Sequence, residues 1–183
     1  MLGAAPGPSS REFMDQPPAE LEHYPGHYIR RLQQIAVAVF MEEVKDFGVT
    51  PVQYAALSAV LRQPGVDQRT LARAIGLDTS TLGSVIDRLE ARGLMARSNS
   101  PQDRRVRLLH VTPEGRDLLL AAEPSVLAAQ QRMLDPLPAD RRAQFLESLA
   151  FVVRANDASE TSALEPAADS DAGPARTAAK RRV

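Results

Sequence analysis

The chain has 183 residues, 44% of them apolar, and a net charge of −1, which suits one compact domain with room for tails. It contains no cysteine, so disulfides, thiolate metal sites, cysteine nucleophiles and thiol-based redox sensing are all excluded. The start, MLGAAPGPSSREF, has neither a charged leader nor an apolar run, and no segment reaches the roughly 18–20 apolar residues that span a bilayer; a soluble, cytoplasmic protein without membrane contact is expected.

Residues 1–23 are rich in Pro, Gly, Ala and Ser without periodicity and are expected to be a disordered tail. A helix is expected over 24–48, where Ile29, Leu32, Ile35, Ala36, Val39, Phe40 and Val44 recur at three- and four-residue steps before Gly48 stops it. Thr50-Pro51-Val52-Gln53 has the form of a capping box with proline at the first helical position. The second helix that follows carries Tyr54, Leu57, Val60 and Leu61 and ends before Pro64-Gly65. Asp67 suits the N-cap of a third helix, with Leu71, Ala72 and Ile75 inward and Gly76 at its stop. Asp78 caps a fourth, in which Leu82, Val85, Ile86 and Leu89 form the buried stripe and Gly93 marks the end. Residues 94–97 and 106–111 read as antiparallel strands around a polar loop at 98–105. Thr112-Pro113-Glu114 opens a fifth helix carrying Leu118, Leu119, Leu120, Val126, Leu127 and Met133, which Pro124 should kink or interrupt. A last helix is expected from about Pro138 to Val153. The Ala-, Ser- and Pro-rich stretch 155–183, closed by Lys180-Arg181-Arg182, is expected to be disordered.

The order defines a mostly α chain with a small β-hairpin wing. A winged helix-turn-helix occupies 49–115, between a dimerisation helix at 24–48 and C-terminal dimerisation helices at 116–154. The outer helices are too apolar for the small central module to cover, so an obligate homodimer is expected, with two reading helices about 34 Å apart. Charge is also uneven along the chain. Between Thr50 and Gly115 nine arginines face six acids, and four of those arginines fall from Arg97 to Arg107. A local basic patch beside a helix of groove-filling size is what contact with double-stranded DNA requires.

The chain resembles the MarR family of bacterial transcriptional regulators over roughly residues 25–153. The resemblance rests on Thr50-Pro51-Val52-Gln53-Tyr54, on Leu71-Ala72 through Gly76-Leu77, and on Val85-Ile86-Asp87-Arg88-Leu89-Glu90 followed by Gly93-Leu94. Its most specific part is Asp103-Arg104-Arg105-Val106 running to Val111-Thr112-Pro113-Glu114-Gly115, similar to the family's wing tip, strand and Thr-x-x-Gly helix start. The resemblance implies a dimer that binds a pseudo-palindromic operator and is released by a small ligand, often an aromatic acid. On this reading Ser80, Thr81 and Ser84, with Arg88 further along the same helix, face the bases and phosphates. Gln68 and Thr70 are expected to hold phosphate through side chains and backbone N–H groups. Arg105 or Arg104 would enter the minor groove, Asp103 would orient an arginine, and Arg97 completes the basic patch. Where many relatives carry a basic residue this chain has Gly83-Ser84, which reads either as drift or as close backbone approach to DNA.

An effector site is expected where aromatic and cationic groups meet: His27, Tyr28 and Arg31 with Phe40, Tyr54 and Arg30, a ring-lined wall with an arginine for an acid. The stretch from His27 to Phe40 is similar to the branch of the family that represses aromatic-acid degradation, including nicotinate catabolism. That similarity favours a hydroxylated pyridine or benzene carboxylate as effector. An acyl-CoA thioester or a hydrophobic drug-like compound is the alternative. His23 and His27 lie four apart, but Pro25 and Gly26 intervene and no carboxylate pattern completes a metal site. No cofactor is implied, and no nucleophile–base or paired-carboxylate constellation supports an enzyme. A non-DNA adaptor built on the winged fold is the remaining alternative.

Overall fold

The computed structural model describes residues 21–103 and 105–164, so residues 1–20 of the expected N-terminal tail (1–23) and residues 165–183 of the expected C-terminal tail (155–183) lie outside the described residues. It divides into two units at Asp135/Pro136. The first contains α1 (Pro25–Glu43), α2 (Pro51–Arg62), α3 (Gln68–Ala74), α4 (Thr79–Ala91) and α5 (Pro113–Leu134), with strands β1 (Val66–Asp67), β2 (Met95–Asn99) and β3 (Arg107–Val111). The second contains α6 (Ala139–Leu164).

The local signals act as expected at most helix starts. Thr50 Oγ1 accepts from the Gln53 amide at 3.3 Å while Gln53 Oε1 accepts from the Thr50 amide at 3.0 Å, closing the capping box of α2. Asp67 and Asp78 cap α3 and α4 through their carboxylates, and Thr112 caps α5. α1 ends at Glu43, ahead of Gly48; a short 3-10 turn, Lys45–Phe47, intervenes before Gly48 takes the left-handed conformation at φ 61°.

Two apolar clusters hold the first unit together. The larger gathers Leu57 and Val60 of α2, Leu71 of α3, Leu82, Ile86 and Leu89 of α4, and Leu109 of β3, all essentially inaccessible. Fully burying a leucine or isoleucine contributes roughly 1.5–3 kcal/mol, so this cluster fixes α4 against the sheet. The smaller joins Phe40 and Val44 at the end of α1 to Val49 and to Ala122 of α5. α1 lies along α5, and Arg132 spans the pair by donating to Glu42 and Glu43, each at 2.8 Å.

Three features depart from the sequence reading. The wing is a three-stranded sheet in the order β1-β3-β2, because Val66 and Asp67 pair with Leu109 and Leu108. A two-residue strand has no periodicity to announce it. α5 runs through Pro124 without interruption: Pro124 lies in an exposed turn, where the missing N–H and the carbonyl it leaves unpaired cost less. Finally, Leu21–His23 forms a 3-10 turn inside the expected tail, and α6 continues to Leu164, beyond the expected Val153.

Gly115 shows why the Thr-x-x-Gly start of α5 tolerates no side chain. Thr112 Oγ1 donates to the Gly93 carbonyl at 2.7 Å and accepts from the Gly115 amide at 3.0 Å, drawing α5 onto the junction between α4 and β2. At that distance a Cβ on Gly115 would stand 2.1 Å from the Leu94 carbonyl oxygen.

Candidate nucleic-acid interface and effector site

Leu82, Ile86 and Leu89 turn one side of α4 inward, which leaves Ser80, Ser84 and Arg88 on an exposed stripe at four-residue steps, with Thr81 exposed beside them. The stripe opens with short hydroxyls and ends in one long cation. Ser80 Oγ donates to Asp78 Oδ1 at 2.5 Å, which commits its proton and leaves the oxygen as an acceptor. In the major groove that suits the amino groups of adenine or cytosine. Asp78 is held well below the usual carboxylate range, first by the Ser80 hydroxyl and then by Thr81.

The start of α3 is arranged differently from the expected phosphate cradle. Thr70 gives both its amide and its hydroxyl to Asp67, at 3.0 and 2.7 Å, so neither donor is left for a phosphate. Gln68 Nε2 donates to the Thr79 carbonyl at 3.0 Å, tying α3 to the first turn of α4. Gly83 lies under that amide: a Cβ there would meet Gln68 Nε2 at 3.1 Å. This is the end of a flexible side chain, so the contact between the two helices is close but does not by itself require glycine in the reading helix.

The wing carries its own frame. Buried Ser100 accepts from the Gln102 and Asp103 amides at 3.3 and 3.4 Å, and its amide donates to the Val106 carbonyl at 3.0 Å. Asp103 Oδ1 accepts from the Arg105 amide at 2.9 Å, so this carboxylate orients the main chain of Arg105 and leaves its guanidinium outward. Arg105 is exposed; Arg104 lies outside the described residues. Arg97, expected among the DNA contacts, is instead held by two acids of α4, Asp87 at 2.7 Å and Glu90. The positions three apart on α4 put both carboxylates beside β2, and the arginine braces wing to helix. Among the described residues, exposed Arg69, Arg73, Arg88, Arg105 and Arg107 form no ion pair, and these supply the positive surface.

The expected effector residues fall into two groups. Phe40 and Tyr54 meet edge to face with ring centres 6.0 Å apart, in the cluster with Val44, Val49, Ala122, Phe47 and Leu118. His27 and Tyr28 form a second edge contact at 5.7 Å near the start of α1, with Arg31 exposed a turn further on. Twelve residues separate Tyr28 from Phe40, about 18 Å along a helix, so one chain does not bring all five together. Among the described residues no group of three or more His, Cys, Asp or Glu side chains is placed to hold a metal ion, and no helix is long and apolar enough to cross a membrane.

A helix-turn-helix whose reading helix presents hydroxyls and arginine beside an arginine-tipped wing defines a winged-helix DNA-binding protein. Comparison with known proteins agrees: the MarR family matches over residues 49–106. Among solved structures, the PcaV transcriptional regulator from Streptomyces coelicolor in complex with its natural ligand is 37% identical, covering 77% of this chain and 99% of that one, at a TM-score of 0.71. BpsR of Bordetella bronchiseptica, described by the regulation of its DNA binding by 6-hydroxynicotinic acid, is 31% identical over 75% and 98% of the chains, at 0.70. The repressor CouR bound to a 23-mer DNA duplex is 30% identical over 76% and 99%, at 0.69, and CouR from Rhodococcus jostii RHA1 has also been solved with p-coumaroyl-CoA. The chain belongs to the MarR family of transcriptional regulators; it is a DNA-binding protein and not an enzyme.

Proposed function

We propose that this regulator is a repressor that binds a pseudo-palindromic operator as a homodimer and leaves it when a small aromatic carboxylate, of the hydroxylated nicotinate type, binds. The observation that carries the DNA half is the exposed Ser80–Ser84–Arg88 stripe beside unpaired Arg105 and Arg107. Apolar side chains left exposed support dimerisation: Ile29, Ile35 and Met41 on α1, Leu120 and Leu127 on α5, and, in the second unit, Phe151, Val152 and Val153 on α6. A second copy also bears on the effector site. Since one chain separates the Phe40–Tyr54 pair from His27, Tyr28 and Arg31, a pocket that uses both groups draws one of them from each protomer. Arg31 then supplies the fork for the carboxylate and the rings its walls.

Binding of the effector releases DNA only if it prefers a dimer geometry that fits the operator less well. Thermal shift against a panel of aromatic carboxylates including 6-hydroxynicotinic acid should raise the melting temperature for at least one member, and that member should weaken binding to the DNA upstream of the protein's own gene. No binding to that DNA at low salt refutes the operator; binding that no panel member weakens refutes the carboxylate effector. An aromatic acyl-CoA is the second reading, favoured by the similarity to CouR. It is supported instead if p-coumaroyl-CoA releases the DNA and the free acids do not.

A further inference from the structure

Arg92 stands where α4 ends, and its side chain reaches across to the turn after α1. Nη1 donates to the Gly48 carbonyl at 2.6 Å and Nη2 to the Phe47 carbonyl at 3.2 Å. A planar guanidinium donating to two successive carbonyls fixes direction as well as distance. Gly48 is left-handed, φ 61°, which sets the orientation of the second of those carbonyls. The turn itself is anchored: Phe47 packs with Phe40, Val44 and Val49, and α1 just before it is tied to α5 through Arg132.

We propose that Arg92 is a positioning residue that fixes the tilt of α4 against the α1–α5 frame and so selects the half-site spacing that the dimer accepts. The proposal rests on the dimeric operator reading above. Its magnitude follows from the lever. Ser80 lies twelve residues from Arg92, about 18 Å along the helix, so a tilt of about 5° at the Arg92 end moves Ser80 by about 1.6 Å. That exceeds the roughly 0.5 Å window of a hydrogen bond to a base edge. If the tilt lies along the DNA axis, two protomers double the shift to about 3.2 Å, close to the base-pair rise of about 3.4 Å. A helix free to tilt by that amount accommodates operators one base pair longer or shorter; a clamped one does not.

The full chain tests this on duplexes carrying the DNA upstream of its own gene, with the centre of the operator shortened or lengthened by one and two base pairs, read by fluorescence anisotropy. The wild type should prefer one spacing by about tenfold or more, as a mismatched site is disfavoured. Arg92→Ala should reduce that ratio to about threefold or less, by weakening the preferred spacing more than the others. Arg92→Lys, which keeps charge and one donor, should fall between the two. Loss of folding stability alone would lower affinity equally at every spacing, and a melting curve for each variant separates that case. A wild-type ratio in Arg92→Ala overturns the proposal, as does a wild type indifferent to spacing. A wild type that binds no duplex removes the operator reading itself, and this proposal with it.

Discussion

Replacing Gly115 with alanine sets two effects of opposite sign against each other. Alanine inside a helix is favoured over glycine by at most about 1 kcal/mol. Against that, the new Cβ would lie 2.1 Å from the Leu94 carbonyl oxygen, 2.9 Å from Val111 Cγ1 and 3.0 Å from the Leu94 carbonyl carbon. Two of the three atoms are backbone, so no rotamer change relieves the contact. The Leu94 oxygen also accepts from the Thr112 amide at 3.2 Å, and pushing it away strains that bond and the Thr112 cap beside it. Overpacking of this kind costs about 1–3 kcal/mol and a weakened hydrogen bond about 1 kcal/mol more. The net expectation for Gly115→Ala is a loss of about 2 kcal/mol, or about 4–8 °C in melting temperature for a chain of this size. Thermal denaturation followed by circular dichroism reads it directly. An alanine variant that melts at or above the wild-type temperature would refute the claim that close packing, and not turn conformation, is why glycine stands here.

The same substitution at Gly83 should have the other sign. The Cβ there meets only the end of the Gln68 side chain at 3.1 Å, which can swing aside, so Gly83→Ala is expected to raise stability by less than about 1 kcal/mol; a clear drop in the urea midpoint would contradict this. Arg105→Ala should weaken operator binding about tenfold and lower the slope of log affinity against log salt by about 1, with an unchanged melting temperature. Arg97→Ala should leave that slope as it is, because its charge is already taken up by Asp87 and Glu90; identical slopes for the two variants, or a fall in both, would show that the two arginines have been assigned wrongly. Asp67 and Asp78 are both held below the ordinary 3.8, Asp67 chiefly by Thr70 and Asp78 chiefly by Ser80. A depressed folded value means that their stabilisation is complete above about pH 4 and is lost as pH falls through the folded values. An Asp67→Asn, Asp78→Asn double variant should therefore lose less stability than wild type on acidification from about pH 5 to about pH 2, and equal losses would count against the caps.

The legible parts of this chain were those written in local chemistry. Thr50–Gln53, Asp67, Asp78 and Thr112 each cap a helix because the chemistry involves residues two or three apart, and the apolar spacing of Leu82, Ile86 and Leu89 fixes which side of α4 is left exposed. What no local pattern marks spans longer distances. The strand pairing of Val66 with Leu109 and the reach of Arg92 to Gly48 join residues more than forty apart, and no local pattern marks either. The aromatic and cationic residues of the expected effector site share chemistry but not position: His27, Tyr28 and Arg31 lie near the start of α1, whereas Phe40 near its end pairs with Tyr54 of α2.

Charge counting also misplaces the electrostatic surface. Nine arginines face six acids between Thr50 and Gly115, four of the arginines from Arg97 to Arg107, but the structure sorts them by use. Arg97 is neutralised by α4, Arg92 is turned to backbone carbonyls, and the carboxylates of Asp67 and Asp78 lie at the starts of the two helices of the reading motif. Among the described residues, the exposed arginines without an ion pair include Arg69 and Arg73 on α3, Arg88 further along α4, and Arg105 and Arg107 on the wing. The hydroxyls at the start of α4 have the Asp78 carboxylate behind them, a setting that suits contact with base amino groups better than with phosphate. On the proposed operator reading, affinity and discrimination are carried by different parts of the same module: the wing and Arg88 would supply attraction that salt weakens, while Ser80, Thr81 and Ser84 would supply a reading surface that salt hardly touches.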